Sequence, residues 1–117
     1  PFLANIELRD GNGKTVEEEG MVDDGAMVNA IDLSLYEALK QKIGGWKPTT
    51  RRFRMANGSV VPGKACWEGE VRVGGLDFPT RCEVFSSRGS WKVLIGKPLL
   101  EQLHVVHNYN EDSLQIK

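Results

Sequence analysis

The strongest signal in this chain comes from residues 21–26, with the sequence Met-Val-Asp-Asp-Gly-Ala. The first two predict a short apolar strand, and two adjacent carboxylates, Asp23 and Asp24, follow it directly. Gly25 allows the backbone to turn sharply and allows a ligand or another chain to approach closely. A carboxylate on such a turn, at the mouth of a β core, can act as a general acid or base. An acidic pair is also common in turns that are simply solvated.

A mostly β pattern extends outward from this turn. Gly-rich pairs mark turns at residues 10–13, 57–58 and 74–75. Further strands are predicted at residues 2–8, 14–19, 51–56, 60–73, 76–85, 91–95, 105–106 and 114–116. Asn57-Gly58-Ser59 also fits a glycosylation sequon, but the Asn-Gly pair between two strands favours a projecting hairpin.

Two helices interrupt the β pattern. Ser34 and Glu37 form a capping-box pattern that predicts Ser34 as the N-cap of the main helix. Leu35, Leu39 and Ile43 then share one helical face, and Gly44-Gly45 predicts the end of the helix. Pro98 is suited to the first turn of a second, short helix at residues 99–103.

Composition predicts a single domain over residues 1–117. The 15 basic and 16 acidic side chains give a net charge of −1, which does not favour a nucleic-acid-binding surface. No apolar run reaches the roughly 20 residues that cross a bilayer, and the chain begins without a secretory-signal pattern, which favours an intracellular setting. Cys66 and Cys82 are predicted to be buried thiols, with one bridge between them as the alternative.

Other catalytic chemistries have little support in the residues. His104 and His107 are three apart, but no third ligand is nearby, so no metal site is predicted. Neither cysteine lies beside an obvious activating cation, and the glycines lack phosphate-loop spacing. No cofactor is therefore expected. The three tryptophans, Trp46, Trp67 and Trp91, are expected to fill the core or line a groove.

Three short motifs, in the right order, resemble those of the retroviral-type aspartic proteases, the retropepsins. Residues 23–26 resemble the Asp-Ser/Thr-Gly-Ala active-site turn, and residues 55–60 resemble the flap hairpin. Residues 94–100 resemble the second signature, which is an apolar pair, a glycine and a short helix. Residues 105–109 and 114–116 look like the closing strands of retrotransposon-encoded members. The residues at 23–31 and 96–100 are most like those of retropepsin-like domains encoded in fungal genomes. The resemblance covers nearly the whole chain.

The resemblance implies a mostly β fold, the closed barrel of one acid-protease lobe, with one main helix and a short C-terminal helix. It assigns Asp23 as the catalytic aspartate. The same resemblance places the rest of the active-site turn at Asp24, Gly25 and Ala26, the substrate-binding flap tip at Ala56, Asn57, Gly58 and Ser59, and the structural residues behind the turn at Leu94, Ile95 and Gly96.

The implied activity is that of an aspartic endopeptidase acting on a peptide or protein substrate. Each chain of 117 residues carries one such turn and has no room for a second. The resemblance therefore implies a homodimer, with Asp23 of each chain in the catalytic pair, and activity at acidic pH. No metal, membrane or nucleic-acid partner is implied.

Asp24 departs from the family pattern, which has Ser or Thr at this position. A hydroxyl can donate and accept hydrogen bonds, whereas an ionised carboxylate only accepts. Asp24 could be protonated and donate a bracing bond, could rearrange the turn and abolish activity, or could turn outward into solvent. The alternative function is therefore a catalytically silent dimerisation or peptide-binding module. The basic stretch of Arg51, Arg52 and Arg54 is expected to be a solvated face, or to contact acidic side chains of a substrate.

Overall fold

The computed structural model describes residues 2–104. The strands predicted at 105–106 and 114–116, and His107, lie outside the described residues. Within 2–104, no helix is long and apolar enough to span a bilayer.

Nine strands and two helices form the described part of the chain. In chain order they are β1 (Phe2–Arg9), β2 (Thr15–Val22), β3 (Asn29–Asp32), α1 (Leu33–Leu39), β4 (Trp46–Lys47), β5 (Arg52–Arg54), β6 (Val60–Pro62), β7 (Ala65–Val73), β8 (Leu76–Phe85), β9 (Val93–Ile95) and α2 (residues 97–104).

Six of the strands close a barrel in the order β1-β2-β9-β3-β8-β7, and pairing between β7 and β1 closes the circle. The pairs β2–β9 and β3–β8 are parallel, and the others are antiparallel. The short strand β4 extends the edge of β7, whereas β5 and β6 form a separate hairpin. The prediction of a mostly β, closed-barrel fold with a main helix and a short C-terminal helix is confirmed.

Alternation of side chains along the strands explains the barrel interior. Ile6 and Leu8 of β1 point inward, as do Trp67 and Val71 of β7, and all four are buried. Trp67 is fully buried and donates its indole N–H to the Gly44 carbonyl at 2.8 Å. The indole therefore supplies a large apolar surface while its own N–H donor is paired.

The start and the length of the main helix differ from the prediction. Helix α1 begins at Leu33, and its N-cap is Asp32, so the predicted capping box at Ser34 is wrong. Asp32 accepts the Ser34 backbone N–H at 3.1 Å and the Ser87 backbone N–H at 2.7 Å. The helix ends at Leu39, before Gly44-Gly45, because Ile43 enters the core through a turn in which its N–H donates to the Leu39 carbonyl.

Three predicted strands are also shorter than expected. Of the strand predicted at 51–56, only Arg52–Arg54 form β5. The predicted strand at 60–73 is divided into β6 and β7, because Gly63 donates its N–H to Arg51 and Lys64 donates its N–H to Val84. The chain thus leaves the β5–β6 hairpin and joins the barrel between these two bonds. Strand β9 begins at Val93 and not at residue 91.

The two cysteines are free, buried thiols, as predicted. Cys66 lies opposite Glu83, and Cys82 lies opposite Trp67, in the β7–β8 ladder. Because neighbouring positions of a strand point to opposite faces, this register places the two thiols on opposite sides of the sheet. A bridge between them would require the register to change.

The buried cap Asp32 should make the fold sensitive to strong acid. Burial raises the pKa of Asp32, but hydrogen bonds from Ser34 and Ser87 outweigh it, so the net pKa lies below the ordinary value of 3.8. The stabilisation is therefore complete above pH 3.8 and should be lost as the pH falls through the lower, folded-state pKa. Thermal unfolding measured from pH 7 to 2 should show this loss. Asp32→Asn should lower the free energy of unfolding by about 1 kcal/mol at pH 7 and should make that free energy less dependent on pH in the acid range. An unchanged acid slope in the variant would contradict this assignment.

Candidate active site

The turn at residues 23–26 lies where β2 ends. Asp23 donates its backbone N–H to the Ile95 carbonyl at 3.0 Å, which joins the end of β2 to the end of β9. Its carboxylate atom Oδ1 accepts the Gly25 N–H at 2.9 Å, and the Ala26 N–H donates to the Asp23 carbonyl at 3.2 Å. The carboxylate is thus oriented by its own turn while remaining exposed at the surface of the single chain.

Gly96 packs directly behind this turn. A Cβ atom at this position would lie 2.2 Å from the Val28 carbonyl oxygen and 2.9 Å from the Ala26 carbonyl oxygen. Lys97 donates its N–H to the same Ala26 carbonyl at 2.8 Å. The turn is consequently held against the start of α2 by backbone contacts that only glycine permits.

Sequence reasoning missed Asn29, which braces the turn from the other side. Asn29 is 3 % exposed, and its Oδ1 accepts the Gly96 N–H at 3.0 Å and the Leu99 N–H at 3.4 Å. Its Nδ2 donates to the Arg81 carbonyl at 3.2 Å. In the sequence, Asn29 stands out only as an amide among apolar residues three positions after the turn. That pattern does not predict its hydrogen bonds to Gly96, Leu99 and Arg81.

Asp24 is exposed, and no described residue forms a hydrogen bond or an ion pair with it. It lines an open cavity of about 560 Å³ with Lys97, Leu100, Glu101 and His104. In the single chain the carboxylate therefore faces solvent beside the exposed side of α2.

The β5–β6 hairpin has the predicted Asn-Gly turn at its tip. Arg54 pairs with Val60, and Met55 donates its N–H to the Ser59 carbonyl at 2.7 Å. Gly58 has φ +87°, a conformation that glycine adopts without strain. Asn57 Oδ1 accepts both the backbone N–H and the hydroxyl of Ser59, which closes the turn locally. Of the four predicted tip residues, Ser59 is half-buried and Ala56, Asn57 and Gly58 are exposed.

An apolar cluster connects the root of this hairpin with the 23–26 turn. Phe53 stacks on Phe85 with ring centroids 4.6 Å apart, and Trp91 meets Phe85 edge-on at 5.5 Å. The buried members of the cluster are Ala30, Val61, Phe85 and Leu94, and its half-buried members include Met21, Ala26 and Val28. Leu94 thus belongs to this cluster, whereas Ile95 belongs to the barrel core. The fold therefore joins Ala26 of the turn, the root of the hairpin and Leu94 in one apolar cluster.

A second residue that sequence reasoning missed is the charged Glu83 of β8. Its side chain is 3 % exposed, and Oε2 accepts from Arg81 Nε at 2.9 Å and from Arg51 Nη1 at 3.1 Å. Arg51 precedes the β5–β6 hairpin, so this ion pair joins the hairpin to the barrel. The pattern of β8 indicates an acid among the apolar residues at its end, and it does not identify the partners of that acid.

The described residues contain neither a metal-binding cluster nor an activated thiol. Within 2–104, no group of three or more His, Cys, Asp or Glu side chains could hold a metal ion. Burial raises the pKa of both Cys66 and Cys82, so each thiol is protonated at neutral pH. Asp23 and Asp24 are both exposed carboxylates on the 23–26 turn.

The closed six-stranded barrel, with the turn, the hairpin and the two helices in these positions, is a retropepsin-like fold. A solved structure similar to it is the crystal structure of the retroviral protease-like domain of Ddi1 from Leishmania major, with a TM-score of 0.55. The similarity covers 87% of this chain and 78% of that chain at 15% sequence identity. At this identity the likeness establishes the fold alone. No family model and no curated protein matches the chain.

Proposed function

We propose that this chain is an aspartic endopeptidase of the retropepsin type. The observation that carries the proposal is the Asp23 carboxylate, which accepts the Gly25 N–H on a turn braced by Gly96 and Asn29. A fixed, exposed carboxylate beside an apolar surface and a projecting hairpin suits a group that activates water against a bound peptide. The motifs at residues 23–31 and 96–100 support a retrotransposon-type domain like those encoded in fungal genomes.

The active form in this proposal is a homodimer. One carboxylate does not supply both an acid and a base, and the chain has one turn of this type. A second copy, related by a two-fold axis, would bring its own Asp23 to the same place. Two carboxylates at such a short distance share one proton, because both cannot remain ionised together.

The chemistry then follows from this shared proton. The ionised Asp23 accepts a proton from a water molecule, whose oxygen attacks the peptide carbonyl carbon, while the protonated Asp23 donates its proton to the carbonyl oxygen. Collapse of the resulting tetrahedral species breaks the C–N bond as the amine gains a proton. The β5–β6 hairpin acts as a flap that covers the peptide and excludes solvent.

The test is cleavage of an unstructured protein at about pH 4–6, where a dyad that holds one net proton is populated. Wild-type chain should cleave it, and the Asp23→Asn variant should not. Equal cleavage by the two proteins would overturn the proposal.

The second candidate function is a silent dimerisation or peptide-binding module. The observation that favours it is Asp24, an exposed carboxylate without a described partner at the position where the family has a bracing hydroxyl. Two such carboxylates would adjoin the Asp23 pair in a dimer and repel each other.

Replacing Asp24 with Ser or Thr separates the two functions. If the chain is an active peptidase that tolerates Asp24, the hydroxyl variants should cleave at least as well as the wild type, by up to about tenfold, since they remove repulsion and add a donor. The measurement is the cleavage rate of each variant at equal dimer concentration. Activity that appears only in the variants would favour the silent module, and activity lost in them would give Asp24 a working role.

A further inference from the structure

An alternating chain of charges crosses the outer face of β4, β7 and β8 and ends beside the candidate site. Lys47 pairs with Glu68, and Glu68 accepts from Arg81 at 3.3 Å. Arg81 also pairs with Glu83, which accepts in turn from Arg51. We refer to these five residues as the ion-pair chain. With three cations and two anions, it carries one net positive charge and has a cation at each end.

The Arg51 end of the ion-pair chain retains unused hydrogen-bonding capacity. A guanidinium has five N–H donors, and Glu83 is the one side-chain acceptor that the described residues offer to Arg51. The Arg51 side chain is 53% exposed, and its guanidinium lies 5.6 Å from the Phe53 ring. Glu83 Oε1 is buried without a donor, so it uses no further N–H of Arg51. Arg51 is therefore held in place with an edge still open to a ligand.

A cavity of about 340 Å³ lies at this position. Arg51, Arg81 and Glu83 form its charged wall, and Met27, Val28 and Asn29, directly after the 23–26 turn, form another wall. Val28 also belongs to the apolar cluster beneath the hairpin, so the cavity and that cluster share this residue. A peptide lying between the hairpin and the turn can thus place one side chain in the cavity.

We propose that this cavity binds an acidic side chain, Asp or Glu, of the peptide substrate. The carboxylate accepts N–H groups from the open edge of Arg51 and adds an anion to the cationic end of the ion-pair chain. Two guanidiniums share the single carboxylate of Glu83 here, so the wall favours an anion over a cation. The proposal rests on the proposed function in one respect, that the ligand is a peptide.

The test measures binding without turnover, in an Asp23→Asn background. Two pools of unstructured decapeptides are labelled with a fluorophore and are identical except that one contains Glu where the other contains Gln. The Glu pool should bind about three- to tenfold more tightly, the range for a half-exposed, hydrogen-bonded ion pair, and added salt should reduce the difference.

Arg51→Gln should abolish this preference. Arg51→Lys keeps the charge beside Glu83 but loses the planar edge, so it should lose most of the preference and serves if the Gln variant folds poorly. Arg52→Gln is the matched control, because the Arg52 side chain is exposed and forms no hydrogen bond or ion pair with a described residue. This variant should retain the full preference.

The outcomes separate this proposal from the peptidase itself. Equal binding of the two pools, no binding of either pool, or a preference that survives in both Arg51 variants would overturn the acidic subsite, whether or not the wild type cleaves protein. A preference that depends on Arg51, in a protein whose wild type cleaves nothing, would support the subsite and contradict the peptidase.

Discussion

Replacing Asp23 with Asn should reduce peptide cleavage at least about hundredfold, the lower range for the loss of a positioned acid–base group. Asparagine matches the shape of the carboxylate, and its carbonyl oxygen can still accept the Gly25 N–H, but it cannot take a proton from water. Because Asp23 is exposed and makes one side-chain hydrogen bond, the free energy of unfolding should change by less than about 1 kcal/mol. Cleavage rates and thermal unfolding of the same preparations measure both effects.

A mixing experiment tests the shared dyad directly. Wild-type chain and Asp23→Asn chain refolded together should form mixed dimers with one carboxylate, and these should be inactive. Activity per wild-type chain should therefore fall as the variant is added in excess. The control is Asp77→Asn, which changes an exposed carboxylate paired with Arg72. Added in the same excess, this variant should not lower the activity per wild-type chain. Activity that is indifferent to excess Asp23→Asn chain would contradict the two-chain site.

Replacing Gly96 with Ala should destabilise the fold by about 3 kcal/mol or more, and activity should disappear with it. The added Cβ would lie 2.2 Å from the Val28 carbonyl oxygen and 2.8 Å from its carbonyl carbon. These are backbone atoms of the segment that carries the 23–26 turn, so the clash cannot be relieved by rotating a side chain. Overpacking of a well-packed interior already costs about 1–3 kcal/mol where side chains can adjust. Urea unfolding of the variant measures the loss.

Gly11→Ala is the matched control for this steric argument. Nothing lies within 4 Å of a Cβ built on Gly11, and its φ is not positive. The substitution should leave stability within about 1 kcal/mol of the wild type, with a small gain from reduced freedom of the unfolded chain. Similar losses in the two variants would show that close packing behind the turn is not the cause.

Local patterns predicted most of the strands and turns correctly. The strand at 76–85 and the Asn57-Gly58 hairpin agree with the structure because alternation and turn chemistry act between near neighbours. The prediction of Ser34 as the N-cap of α1 is wrong for a different reason. Ser34 satisfies a local pattern, but Asp32 also accepts from Ser87, which is 55 residues away. Asp32 is also a residue type that often caps helices, but the bond from Ser87 that favours it over Ser34 leaves no trace in a short window of sequence.

The candidate site divides in the same way. Local patterns predict the carboxylate, the glycine after it and the order of the turn, hairpin and 94–96 segment, because each depends on the conformation of a few consecutive residues. No local pattern predicts that Asn29 accepts the Gly96 N–H or that buried Glu83 binds Arg51, because both contacts form only in the folded barrel. Those contacts depend on barrel closure, which pairs β3 with β8 and β9 and carries Glu83 to the root of the hairpin. Hydrogen bonds and ion pairs between such distant residues arise from the register of the strands, and the register is a property of the closed sheet.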